Sequence, residues 1–249
     1  MRIRFLGSGA SGGTPGSGRS RRRESSALVA ERGARLLIDV TRHFDEQQRE
    51  LDAGVDAALL THAHLDACGG LPALGRWLRR RSRRPLPVYA SATTIAAVRG
   101  RFRRLDHCEF VALRPGQRRR IGPWTVTALT VPHARERRIP TFAWRLMAAG
   151  TTLVYASDVA RLTRELRRFV SGSAMLVIDA AMWRRSLFSH LTIDRELPRL
   201  CEWNVERIVL TQIGKTLPEH AQLRREAGKL CRRAGPAHDG LELDLGPSR

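Results

Sequence analysis

Directly after the short apolar run 57–60 the chain reads Thr61-His62-Ala63-His64-Leu65-Asp66, and Gly69-Gly70 follows. An apolar run of that length reads as a buried strand, and the glycines open a helical pattern. The polar cluster therefore falls on a turn at a strand end, where side chains converge without leaving the core. Two imidazoles and a carboxylate at this spacing suit a divalent ion such as zinc. A fold that completes the set must bring further ligands to the same place.

Other runs end in the same kind of residue. Val131-Pro132-His133 closes the strand-like run 124–131, the run 153–157 ends in Asp158, and the run 174–178 ends in Asp179. Apolar runs that each finish in a ligand-type side chain are expected when several strands deliver to one sheet edge. A strand-end aspartate is also a common turn or cap residue, and Asp179 reads equally well as that. Strand-like runs fall at 3–6, 26–30, 35–39, 57–60, 87–90, 109–113, 124–131, 141–147, 152–155, 174–178, 207–210 and 241–245. Helical patterns fit 43–51, 70–80, 92–102, 161–169, 193–203 and 218–234. Strands come first in meanders and helices intervene later, which predicts two sheets with helices on their outer faces.

Taken in order, H-A-H-L-D, V-P-H, A-S-D, S-H-L-T and L-T-Q-I-G resemble the metallo-β-lactamase-fold hydrolases. The glycine-rich opening F-L-G-S-G-A-S-G-G-T-P, at 5–15, resembles one branch, the cyclic-phosphate phosphodiesterases of phosphonate breakdown. More distantly it is similar to the endonucleases that trim the 3′ end of tRNA. The resemblance runs from the first strand to about Leu223. It implies an α+β fold, a four-layer αββα sandwich, with the site along one edge between the sheets. We expect a single hydrolase domain over 1–249.

The resemblance also implies roles for residues. His62, His64 and His133 correspond to the ligands of one metal, Asp158 to a carboxylate bridging two metals, and Asp66 to an acidic ligand of the second. Two further second-site histidines of the pattern are replaced here by Ala67 and Gln212. One divalent ion, zinc or alternatively manganese, is therefore expected rather than two. Three histidines with an open fourth position suffice for a catalytic zinc. Asp66 and Asp158 are expected to bind a hard ion weakly through waters or to accept a proton from attacking water. His190 is expected beside the scissile phosphate, with Thr192 as N-cap of the helix that follows. Cys68 offers a thiolate in principle but reads as a small buried residue.

These expectations describe a metal-dependent hydrolase, a phosphodiesterase acting on a small cyclic or ribose phosphate diester through a metal-bound hydroxide. Asp66 and His190 are its expected catalytic residues. Two alternatives stay open: an RNA-processing nuclease of the same superfamily, and a catalytically impaired member that only binds a phosphorylated ligand.

Charge favours an anionic partner. The formal net charge is +20, from 44 basic and 24 acidic residues. Lysine occurs only at 215 and 229, the rest being arginine, with dense runs at 19–23, 79–84 and 118–120. Aromatic residues make up 6%, too few for the stacking platforms of single-strand binders. A small phosphorylated substrate is thus better supported than nucleic acid. The loop 7–13 lacks the Lys-Ser/Thr of a phosphate-cradling loop, and Thr14-Pro15-Gly16 breaks any helix after it. The resemblance implies that it lines the site wall; by its residues alone it reads equally well as a simple tight turn.

The segment 16–26 and the tail from Gly246 read as the least ordered stretches. Relatives often carry cysteines in the first of these for a structural zinc; none stands here, so that accessory site is expected absent. Cys68, Cys108, Cys201 and Cys231 lie far apart without metal-binding spacing, and free thiols in a reducing cytoplasm are expected. No apolar signal region or membrane span is found. A homodimer stays open.

Overall fold

The computed structural model describes residues 1–51, 53–81, 84–133, 140–185 and 187–246. Its strands are β1 (Arg2–Gly7), β2 (Ser26–Glu31), β3 (Ala34–Ile38), β4 (Ala57–Leu59), β5 (Leu86–Ala90), β6 (Cys108–Ala112), β7 (Arg118–Ile121), β8 (Trp124–Val131), β9 (Thr141–Ala148), β10 (Thr151–Ala156), β11 (Ser173–Asp179), β12 (Val205–Thr211), β13 (Ala234–Pro236) and β14 (Glu242–Asp244). The helices are α1 (Phe44–Gln47), α2 (Leu65–Cys68), α3 (Leu71–Arg79), α4 (Ala92–Arg101), α5 (Arg164–Val170), α6 (Ile193–Cys201) and α7 (His220–Leu230).

Two seven-stranded sheets form, in the orders β14-β1-β2-β3-β4-β5-β6 and β13-β12-β11-β10-β9-β8-β7. Each has an antiparallel part and a run of four parallel strands, β3 to β6 in one and β10 to β13 in the other. Parallel neighbours need crossovers, and helices supply them. Because β1, β3, β4 and β5 run one way, their carboxyl ends share an edge; so do those of β8, β10, β11 and β12.

The central strands of each sheet are apolar on both faces because both faces are buried. Ile3, Phe5, Val29, Leu36, Ile38 and Leu59 pack between the sheets against Trp124, Trp144, Leu153, Tyr155 and Val177. The alternate residues Leu37, Ala58 and Leu60 face Phe44, Leu71, Leu74, Trp77 and Val98 on the outer helices of the first sheet. Val154, Ala156, Leu176 and Ile178 face Leu166, Leu197, Leu200 and Leu223 on the outer helices of the second. The layers are helix, sheet, sheet, helix: the expected α+β sandwich.

Several local expectations need correction. The helix expected over 218–234 stops at Leu230, since Ala234 opens β13. Thr192 occupies the N-cap position of α6, but its hydroxyl makes no cap hydrogen bond. The segment 16–26 is tied down rather than loose: Thr14 and Arg22 exchange backbone hydrogen bonds, and Arg22, Glu24, Ser25 and Ser26 are buried. Gly7 packs so closely that a β-carbon there would lie 2.0 Å from the Glu24 carbonyl oxygen. The expectation of free thiols throughout fails as well. Cys201 and Cys231 form a disulfide, Cα atoms 5.5 Å apart, joining the end of α6 to the residue after α7. Cys68 and Cys108 are free. Of the tail, residues 247–249 lie outside the described residues, as do 82 and 83 of the arginine run 79–84.

Candidate metal centre

The common strand direction decides what meets what. Asp39 follows β3, the segment Thr61 to Asp66 follows β4, His133 follows β8, Asp158 follows β10, Asp179 ends β11 and Gln212 follows β12. All project from carboxyl ends of strands, the usual place for a site in sheets of this kind. They line or underlie a cleft of about 540 Å³ whose walls include Ser11, Arg42, Arg101 and Phe188.

His62, His64 and His133 come together with one donor nitrogen each, all within 4.8 Å of one another. Their donor sets are prepared. The His133 Nδ1–H donates to the Ser189 carbonyl oxygen at 2.8 Å, which leaves Nε2 as a lone pair. That Nε2 stands 3.4 Å from His64 Nδ1. The Thr61 hydroxyl donates to Asp39 Oδ2 at 2.9 Å and lies 2.9 Å from His62 Nδ1. With its proton committed to Asp39, the hydroxyl accepts from Nδ1–H, and His62 Nε2 is left buried with no hydrogen-bond partner. Burial holds His62 down at about 3 and keeps His64 below the ordinary imidazole value, so both are neutral, as ligands must be. A tetrahedral ion with bonds of about 2 Å spaces its ligand nitrogens about 3.3 Å apart. These residues fit a zinc-type ion.

The acids complete the floor. Asp158 Oδ1 lies 3.7 Å from His133 Nε2, and Asp66 Oδ1 lies 3.9 Å from His62 Nε2. Burial works against ionising Asp158, but the charged His190 and a 2.7 Å hydrogen bond from Ser157 Oγ hold it below the usual carboxylate range. Burial pushes Asp66 up to about 6, with the charges of Asp158 and Glu24 adding to it. Gln212 Nε2 donates to Asp158 Oδ1 at 2.8 Å and to Asp66 Oδ2 at 3.2 Å. Ala67 is a buried methyl on α2. Cys68 is buried, its thiol pushed up to about 11 by burial and donating to the Ala63 carbonyl, which is the bland role expected of it.

Beside the triad, His190 brings a ligand atom within 4.8 Å of those of His133 and Asp158, and its Nδ1 lies 2.6 Å from Asp179 Oδ2. Burial opposes a charge on the imidazole, yet the Asp179 carboxylate outweighs it and raises His190 to about 9. Its ring centroid is 5.0 Å from that of His133. Asp179 also caps the backbone N–H of Val159 and of Ala181, so it is a turn residue and the partner of His190 at once.

Sequence reasoning missed four contributors: Asp39, Thr61, Arg42 and Arg101. Arg42 pairs with the buried Glu24 and donates to Ser11 Oγ at 3.0 Å; Glu24 in turn accepts from the Gly12 N–H at 2.7 Å. This fixes the glycine-rich loop as a wall of the cleft. Arg101 reaches back from α4 to the Ala63 carbonyl at 2.6 Å and has no ion pair among the described residues. A guanidinium and a short loop are legible only when one knows what they fold against.

Residues 34–213 match the model of the beta-lactamase superfamily domain. An octanoyltransferase from Porphyromonas gingivalis (strain ATCC BAA-308 / W83) is 28% identical over 89% of this chain, which spans only 48% of that protein's length. A ribonuclease Z from Bradyrhizobium sp. (strain ORS 278) is 27% identical, covering 86% of this chain and 90% of its own. The solved structure of a diphosphatase from the PhnP family superposes with a TM-score of 0.87 at 23% identity, over 99% of this chain and 98% of the other. With a family match over most of the sandwich, the chain belongs to the beta-lactamase superfamily and has the metallo-β-lactamase fold.

Proposed function

We propose that this hydrolase is a metal-dependent phosphodiesterase for a small cyclic or ribose phosphate diester. The observation that carries the reading is a pairing in one cleft: the converging imidazoles of His62, His64 and His133, and beside them the His190–Asp179 pair. His62, His64 and His133, with Asp158 beside them, would hold an ion, which would supply Lewis-acid chemistry toward the phosphoryl oxygen and water.

The chain's own groups do the rest. Arg42 and Arg101 on the rim attract and orient the anion. Asp66 or Asp158 takes the proton from the attacking water as its oxygen bonds to phosphorus. On the far side the ester P–O bond breaks, and His190 gives its proton to the departing alkoxide. Asp179 keeps that imidazole charged and oriented until the proton leaves. The high positive charge of the chain supports an anionic substrate.

Turnover of a bis-aryl phosphodiester, a ribose cyclic phosphate and a tRNA precursor, each with zinc and with manganese, tests the reading. Faster turnover of the ribose cyclic phosphate is the expected result. Preference for the tRNA precursor replaces it with the nuclease reading, which the ribonuclease Z likeness supports. Inactivity on all three with either metal leaves a protein that binds a phosphorylated ligand without cleaving it.

A further inference from the structure

Gln212 is an odd residue to find at the floor of this cleft. It is buried, and its φ of 56° lies in the left-handed region that side chains other than those of Gly, Asn and Asp seldom adopt. The surroundings hold it there. Its backbone N–H donates to Ser25 Oγ at 2.8 Å, and that hydroxyl is itself fixed by the Gly9 carbonyl and the Thr211 hydroxyl. Strain kept in place by neighbours at a site is usually there to aim something. What it aims is one nitrogen, 2.8 Å from Asp158 and 3.2 Å from Asp66.

Two carboxylates that reach for one point repel unless a cation or a donor stands between them. A primary amide has two N–H bonds, one for each. Ser157 Oγ donates to Asp158 alone, and His190 stands by Asp158, but among the described residues no other side chain donates to both acids: Ala67 offers a methyl, and the Cys68 thiol is turned to the Ala63 carbonyl. We propose that the Gln212 amide takes the place of a second cation between Asp66 and Asp158, so that the centre holds one divalent ion, on the histidine triad. The proposal rests on the triad binding a metal and does not depend on which ester is cleaved. Gln212 is thus a positioning residue: it holds the two acids in register for the water they act on, by a bond that a chelator cannot remove.

Metal content after dialysis, with calorimetric titration of zinc and of manganese chloride, tests this without any activity measurement. Wild type is expected to hold one equivalent. Gln212→Glu replaces the donor by a third carboxylate and is expected to take up a second equivalent, at least about tenfold tighter than any second binding to wild type. Gln212→Gly, which accepts the backbone conformation without strain and removes the amide, keeps the test readable if the charged variant does not fold. It is expected to show a second, manganese-dependent rise in melting temperature that wild type lacks. Two tight equivalents on wild type, or a single equivalent on both variants, overturns the proposal and leaves the triad intact as a metal site. No ion on wild type overturns the triad reading together with it.

Discussion

Two buried clusters in this molecule gather histidines, and they are finished in different ways. Under the glycine-rich loop, His220 and His238 lie with ring centroids 5.4 Å apart, and Arg22 is driven between loop and helix. Its Nη1 donates to Ser8 Oγ at 2.9 Å and to the Ala237 carbonyl, and its Nη2 lies 3.1 Å from His220 Nδ1. Among the described residues, no buried side-chain atom of Arg22 or His220 is left without a partner. In the cleft, by contrast, His62 Nε2 is buried with no partner, and His64 and His133 present nitrogens to each other. A cluster closed by its own guanidinium is a clasp. A cluster whose lone pairs converge is built for something that arrives from solution.

The sharpest way to break this contrast is to remove one converging nitrogen. His64→Ala is expected to lose its ion on dialysis and to reduce turnover to background, while the far-ultraviolet circular dichroism stays native. Elemental analysis and the diester assay check it. Retention of a full equivalent would mean that the triad is not the metal site.

Next in size is the pair beside the triad. His190→Ala is expected to lower kcat by about 10²- to 10⁴-fold with metal content unchanged. Asp179→Asn, acting through the imidazole, is expected to cost about 10- to 100-fold. A fall in metal content with either variant would place His190 among the ligands instead.

The clasp should respond in the opposite manner. Arg22→Ala strands Ser8, the Ala237 carbonyl and His220, and is expected to destabilise the fold by roughly 2–3 kcal/mol in urea while leaving metal binding alone. Unchanged stability would show that Arg22 closes nothing.

The smallest effect sharpens the same point through pH. Burial, with the charge of Arg22 added, holds His220 down at about 4 against an ordinary 6.5. As the pH falls, the unfolded chain takes up that proton first. The stability contributed by neutral His220 is therefore present above about 6.5 and lost as the pH falls towards 4. The gap between wild type and His220→Gln in urea midpoints should shrink across that window. A gap that stays constant would show that His220 titrates alike in both states.

How much of this was legible beforehand depends on how local the signal is. The candidate ligands announce themselves because each follows an apolar run, and runs buried on both faces are easy to read: Thr61 to Asp66 after β4, His133 after β8 and Asp158 after β10. Strand β7 was missed because Arg118, Arg119 and Arg120 are exposed and only Ile121 of the four is buried, so its sequence shows charge rather than alternation. Strand β13, Ala234-Gly235-Pro236, is recruited by its neighbour β12 and has no strand preference of its own. Gln212 looked like a simple loss of a ligand, since one sequence position does not reveal two carboxylates waiting on either side of it. The Cys201–Cys231 bond joins residues 30 positions apart through the packing of α6 against α7, and spacing alone says nothing of that.

Strand β7 has a further consequence, for how copies of the molecule meet one another. It is one edge of its sheet, and among the described residues no strand pairs with its outer side, which leaves backbone groups on which a strand from another copy can grow. Three consecutive arginines stand exposed along it. A second copy approaching β7 to β7 brings its own arginines against these, so like-charge repulsion opposes that pairing. That opposition is only as strong as the salt is weak, because the repulsion is screened within about 10 Å at 0.1 M ionic strength. Concentrated salt or a polyanion lying across the arginines would lift it, and the colloidal behaviour of the protein is therefore tied to its ionic surroundings by the same charges that leave β7 so hard to read as a strand.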